Sequence, residues 1–154
     1  AGKVCGLIGP DGAGKTSLMR LAAGLLKPDS GTITAPGIDV VSAPLQMQSA
    51  IGYMPQRFGL YEDLSVQENL DLYADLQGVN RQHRIQRYQK LMHMTALSPF
   101  GDRLAGKLSG GMKQKLALSC ALIHKPRVLI LDEPTAAPGA CAGCSHSGLR
   151  IPAC

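Results

Sequence analysis

Residues 9–16 read G-P-D-G-A-G-K-T, and a loop of that spelling, set straight after an apolar run, leaves few folds open. The run at 3–8, K-V-C-G-L-I, suits a buried strand, and residues 17–26 place Leu18, Leu21, Ala22 and Leu25 at helical spacing. The expected unit is strand, glycine loop, helix, within an α/β fold. Such a corner surrounds a polyphosphate with backbone N–H groups and a helix N-terminus, with no side chain intervening. Gly9, Gly12 and Gly14 leave room for the phosphates, and Pro10, Asp11, Ala13 and Ser17 complete the cradle. Lys15 would set its ammonium between the terminal phosphates, and the Thr16 hydroxyl would ligate Mg²⁺. ATP or GTP is the expected ligand.

A chain of 154 residues is long enough to bury one core and is read as a single domain. Hydrophobic residues make up 45%, yet the longest aliphatic run, 128–131, falls far short of the ~20 residues of a membrane helix. Any membrane role must therefore run through a partner. The net charge is +5, and Arg81, Arg84, Arg87 and Lys90 recur at helical spacing, as a solvated helix face requires. Nucleic-acid binding is the alternative reading. The chain has no Trp, four Tyr and two Phe, without the interleaving of aromatic and basic residues that single-strand platforms use, so no nucleic-acid partner is expected. Five cysteines, an odd number with no signal peptide, point to a reducing cytosol. Cys5 and Cys120 read as core packing.

Further along, residues 27–31 form a turn, 32–34 a short strand, and Pro36-Gly37 a second turn. Residues 51–54 read as a strand closed by Pro55. Gln56 follows at once, an amide able to reach a metal or a water near the phosphates. Ser65 and Glu68 have the spacing of a capping box, predicting a helix from Val66 to about Gln77, ended by Gly78. A second helix should start near Asn80 and bury Ile85, Tyr88, Leu91 and Met92.

Residues 108–114, Leu108, Ser109, Gly110, Gly111, Met112, Lys113 and Gln114, open a helix with Ser109 as N-cap and Leu116, Ala117, Cys120 and Ile123 as its apolar residues. Two glycines in a first turn cost roughly 1 kcal/mol each if interior, so an offsetting role is expected, and bare N-terminal amides suit an anion. This second anion site has no partner lysine, and the chain has only one triphosphate cradle. Two copies arranged head to tail would complete each other's sites; a plain serine-capped helix is the alternative. Residues 128–131, V-L-I-L, predict a strand buried on both faces that delivers Asp132 and Glu133 to a sheet edge. There Asp132 can hold Mg²⁺ and Glu133 can polarise an attacking water.

In order and spacing, residues 9–16, Gln56, 108–114 and 128–135 resemble the ATP-binding cassette family: its Walker A loop, Q-loop, signature and Walker B with catalytic glutamate. The resemblance covers roughly residues 1–135. It implies a P-loop NTPase fold with a mostly parallel core sheet and an inserted helical subdomain at about 57–107. It also implies ATP and Mg²⁺ as cofactors, with Lys15 and the signature amides stabilising the transferred phosphoryl group. Thr16, Gln56 and Asp132 would serve the metal, and Glu133 the water. Residues 52–66 further resemble the cassettes of multidrug-type bacterial exporters, where this region faces a permease; Phe58, Leu60 and Tyr61 read equally as packing residues. The implied role is an ATP-hydrolysing subunit that drives export of a substrate, a drug or lipid-like molecule among the candidates, through a membrane permease at the inner face of the cell membrane. A soluble cassette acting in translation or DNA repair is the alternative.

Two departures qualify the resemblance. The family carries a strand pair and an adenine-stacking aromatic ahead of the position occupied by Ala1, so the front is expected to be truncated. After Glu133 the family's further Asp and switch histidine are missing, and His146 comes too early for that role. Residues 136–154 are therefore expected to be a non-native or disordered tail, and the chain an incomplete cassette with doubtful turnover. Cys141, Cys144, His146 and Cys154 offer four zinc-type ligands, but their spacing matches no standard finger.

Overall fold

The structure is a computed structural model describing residues 4–35, 37–57 and 59–133. The expectations for Pro36, Phe58, Pro134, Thr135, the tail and its Cys and His residues lie outside the described residues.

Helix α1 (Lys15–Ala22) follows the glycine loop. A short antiparallel hairpin comes next, β1 (Thr34–Ala35) with β2 (Ile38–Asp39), turning through Gly37 at φ 80°. Helix α2 (Pro44–Ala50) leads directly into β3 (Ile51–Met54). Two helices follow, α3 (Val66–Leu76) and α4 (Arg81–Thr95), before α5 (Gly110–Leu122) returns the chain to β4 (Val128–Leu131). Strand β4 lies parallel to β3, with Ile51 opposite Val128 and Met54 opposite Leu131. Helix α5 lies between them in sequence, as a parallel crossover requires.

Three apolar clusters hold these elements. Val66, Leu70, Ala74, Tyr88, Met92, Leu97, Leu116, Cys120 and Ile123 join α3, α4 and α5. Ala23, Val40, Met47 and Ile51 join α2 to the hairpin and β3. Met54, Ala117 and Ala121 seat β3 against α5. A Cβ at Gly52 would collide with the Ala121 carbonyl oxygen, so glycine sets the close approach of strand and helix.

The predicted helix boundaries hold at their capped ends. Ser65 Oγ accepts from Glu68 N at 3.2 Å, Glu68 Oε2 accepts from Ser65 N at 2.7 Å, and Gly78 ends the segment at φ 61°. Asn80 caps α4 by accepting from Gln82 N at 3.0 Å.

Elsewhere the structure corrects the sequence reading. Residues 4–8 form no strand, and Val4 and Ile8 are 94% and 96% exposed; no ladder partner for them exists among the described residues, and a lone extended segment gains nothing from apolar side chains. Cys5 is consequently exposed rather than core. Helix α1 stops at Ala22, leaving Leu18 and Leu25 half exposed. β4 is only half-buried rather than covered on both faces, since β3 is its one ladder neighbour among the described residues. Ile85 is 70% exposed, and Thr95 takes a place in the buried stripe of α4. The basic face of α4 is also less solvated than its spacing implies. Arg84 pairs with Asp75 at 2.7 Å, and Arg87 Nη1 donates to the Ile123 carbonyl at 2.6 Å, tying α4 to the end of α5.

Candidate functional site

The glycine loop is held open by its own backbone. Gly12 and Gly14 adopt φ 78° and 84°, and a Cβ at either would meet nothing within 4 Å. Left-handed backbone at both positions favours glycine, and the vacant space lies where an anion can approach the amides. Ala13 N donates to Pro10 O at 3.3 Å, closing the turn. Gly14 caps α1 without any side-chain bond, and the first turn holds no acid, so the amides at the start of α1 remain bare for an incoming ligand. Lys15 folds back over this loop, its Nζ donating to Gly9 O at 2.8 Å and Pro10 O at 2.7 Å.

The parallel register of β3 and β4 brings the other candidates to the same edge. Asp132 continues the ladder, its N–H donating to Met54 O at 3.0 Å, and the residue is 2% exposed. Thr16 Oγ1 donates to Asp132 Oδ1 at 3.0 Å, joining loop and strand end across 116 positions of sequence. One residue on, Glu133 adopts φ 52°, a left-handed conformation rare for a non-glycine residue and concentrated at functional sites. Its Oε2 accepts from Gln56 Nε2 at 2.7 Å. Thr16, Lys15, Gln56, Asp132 and Glu133 are thus gathered at one edge.

Sequence reading missed two neighbours. Tyr53, on β3, directs its hydroxyl at Asp132 Oδ2, 3.3 Å away. Burial raises the pKa of this phenol and Asp132 adds to the rise, while the Arg20 guanidinium beside it opposes both. The only signal was periodicity, since Tyr53 alternates with Met54 on β3 and faces away from α5.

The signature residues make their hydrogen bonds elsewhere. Ser109 Oγ caps α5 by accepting from Met112 N at 3.3 Å, and a Cβ at Gly111 would meet nothing within 4 Å. Lys113 Nζ pairs with Glu62 Oε1 at 2.6 Å. Leu108 is buried, and the Gln114 side-chain nitrogen is buried with no hydrogen-bond partner among the described residues. No hydrogen bond joins residues 108–114 to the glycine loop among the described residues. Of the three residues expected in the exporter-like stretch, Leu60 packs on the helical cluster and Tyr61 is 56% exposed.

A glycine loop, a hydroxyl on a buried carboxylate and a second carboxylate at the end of parallel strands define a nucleotide-phosphate-binding domain of the P-loop NTPase class. Residues 1–136 match the ABC transporter family, and the chain belongs to it. It is 60% identical over 134 residues to the probable multidrug ABC transporter ATP-binding protein YbhF of Escherichia coli (strain K12), covering 87% of this chain and 23% of that protein. Among solved structures it resembles an ATP-binding subunit of an ABC transporter, with a TM-score of 0.75 and 31% identity over 84% of this chain and 54% of that one. It also resembles the dimeric post-hydrolysis state of the ATP-binding cassette MJ0796 bound to ADP and Pi, with a TM-score of 0.73, 26% identity, and coverage of 83% and 59%. The chain therefore spans about a quarter of YbhF and somewhat over half of these cassettes. The alternative of a translation or DNA-repair cassette draws no support from these relatives.

Proposed function

We propose that this chain carries the ATP-binding and ATP-hydrolysing machinery of an ABC transporter subunit, residues 1–135 forming part of the cassette and about 57–107 its inserted helical subdomain. The observation that carries the reading is the Thr16 to Asp132 contact at 3.0 Å, which sets two hard oxygen donors beside the bare amides of α1. Those donors suit Mg²⁺, which prefers oxygen ligands and keeps part of its water shell. Thr16 and Asp132 would hold it, with Gln56 nearby, and when bound it would neutralise charge on the terminal phosphates.

In this reading Lys15 exchanges its two carbonyl partners for phosphate oxygens, and Gly9, Pro10, Asp11, Gly12, Ala13, Gly14 and Ser17 line the cradle. Glu133 orients the attacking water and accepts its proton. Because Gln56 holds Glu133 at 2.7 Å, that carboxylate becomes available once the amide turns to the nucleotide. Residues 108–114, remote in hydrogen bonding from the chain's own loop, present bare amides suited to the γ-phosphate of a second cassette in a head-to-tail dimer. No helix among the described residues is long and apolar enough to cross a membrane; in this reading a permease at the inner face supplies the membrane association. Export of a drug or lipid-like substrate is favoured by the likeness to YbhF.

The test is phosphate release. With the native chain active, Lys15→Ala should abolish turnover through lost nucleotide affinity. Glu133→Gln should lower the rate by about 10²-fold or more with nucleotide still bound, the scale of a lost general base. A rate insensitive to both changes overturns the assignment.

A further inference from the structure

We propose that Tyr53 is a positioning residue for the magnesium half of the nucleotide site, acting through Asp132. The inference rests on the reading of Thr16 and Asp132 given above. The carboxylate of a residue only 2% exposed needs both oxygens satisfied, and the two are served from different elements. Thr16, on α1, donates to Oδ1 at 3.0 Å, and Tyr53, on β3, donates to Oδ2 at 3.3 Å.

That division matters because the last torsion of an aspartate is soft and roughly two-fold. With one partner alone, the carboxylate can swing and present either oxygen to the loop. Tyr53 removes that freedom by claiming Oδ2 from the side opposite Thr16. The phenol is itself fixed in three ways. It belongs to β3, where it stands opposite Ile130 in the parallel ladder, so its distance from Asp132 follows from strand register. It packs on the cluster formed by Met47, Ile51 and their neighbours. And Arg20, a group with donors only, stands beside its oxygen, which leaves the phenolic hydrogen to Asp132. Helix α1 and the end of β4 are thereby linked twice, directly through Thr16 and indirectly through Arg20 and Tyr53, so loop and carboxylate keep one relative placement.

Tyr53→Phe in the full-length chain isolates the hydroxyl while retaining the ring. The readouts are the affinity for the fluorescent analogue MANT-ADP with Mg²⁺ and with EDTA, and binding of Mn²⁺ in the presence of ADP followed by electron paramagnetic resonance. The expected result is unchanged affinity in EDTA, with the metal-dependent gain and Mn²⁺ affinity each reduced about tenfold, the scale of a lost partner behind a metal ligand. Should Tyr53→Phe fold poorly, Arg20→Gln, on an exposed part of α1, should reduce the same two quantities to a smaller extent. Equal losses with and without metal would make Tyr53 a packing residue and overturn the proposal, as would no change in either. A native chain that binds MANT-ADP but draws no gain from Mg²⁺ would overturn both this and the metal assignment. One with a normal gain that Tyr53→Phe preserves would overturn this proposal alone.

Discussion

A single methyl group at position 52 is enough to test how β3 meets α5. The ideal Cβ would run into the Ala121 carbonyl oxygen and press on Leu129 Cδ1 and Pro126 Cγ at 3.0 Å each, and backbone cannot yield as a flexible side chain can. Gly52→Ala should therefore cost about 1–3 kcal/mol in denaturant unfolding; unchanged stability would mean that strand and helix stand further apart. No sequence signal marked this glycine, because the crowding comes from residues some seventy positions away (). The same reason hid Tyr53, whose partner Asp132 lies 79 positions on, whereas Asn69 was missed although its partners are close in sequence. Asn69 is fully buried and accepts from Tyr61 N while donating to the carbonyls of Tyr61, Leu64 and Ser65. Lys15, Thr16, Asp132 and Glu133, by contrast, were legible because their chemistry is written in local spacing, and their meeting follows from parallel strands ending at one edge.

At the scale of elements, the capped helix ends and the two mutually paired strands, Ile51–Met54 and Val128–Leu131, were the readable features. The capping box of α3 needs four consecutive residues and no tertiary context, which is why Ser65 and Glu68 behave as their spacing predicts. Ser65→Ala should cost about 1 kcal/mol of stability in thermal or denaturant unfolding. The Ser65 amide and hydroxyl hold the Glu68 carboxyl below its usual 4.5. A carboxyl depressed on folding stabilises in full above its unfolded value and loses that contribution as pH falls through its folded value. Native and Glu68→Ala chains should thus differ most near neutrality and approach each other in acid, and a gap independent of pH would exclude the carboxylate's part in the box. Strands depend on partners, so residues 4–8 have a strand's composition and no ladder among the described residues, while α2, whose Pro44 occupies a first-turn position, was overlooked between two turn signals. The inward turn of Arg84 and Arg87 escaped prediction because helical spacing cannot say which face meets a neighbouring element.

For the whole molecule, the head-to-tail pairing proposed above predicts that catalysis belongs to two chains together. A Lys15→Ala chain keeps its signature, and a Ser109→Arg chain keeps its cradle. Each alone should be inactive, whereas an equal mixture should recover about a quarter of the native rate, the statistical share of intact sites in a two-fold assembly. An inactive mixture would count against the head-to-tail arrangement. The expectation of a pair rests on an excess, two anion-suited segments against one triphosphate cradle. The small parallel sheet and three modest clusters also leave Val4, Ile8 and Leu45 largely exposed, so folding of the isolated chain should be concentration-sensitive. The two carbonyl oxygens that engage the Lys15 ammonium carry a last consequence. Any visiting anion must outcompete Gly9 and Pro10 for that cation. On the proposed reading, chloride or a lone inorganic phosphate would be a poor rival, while a chelating polyphosphate would replace both partners at once, so the loop would screen its guests by valency before any nucleobase is recognised.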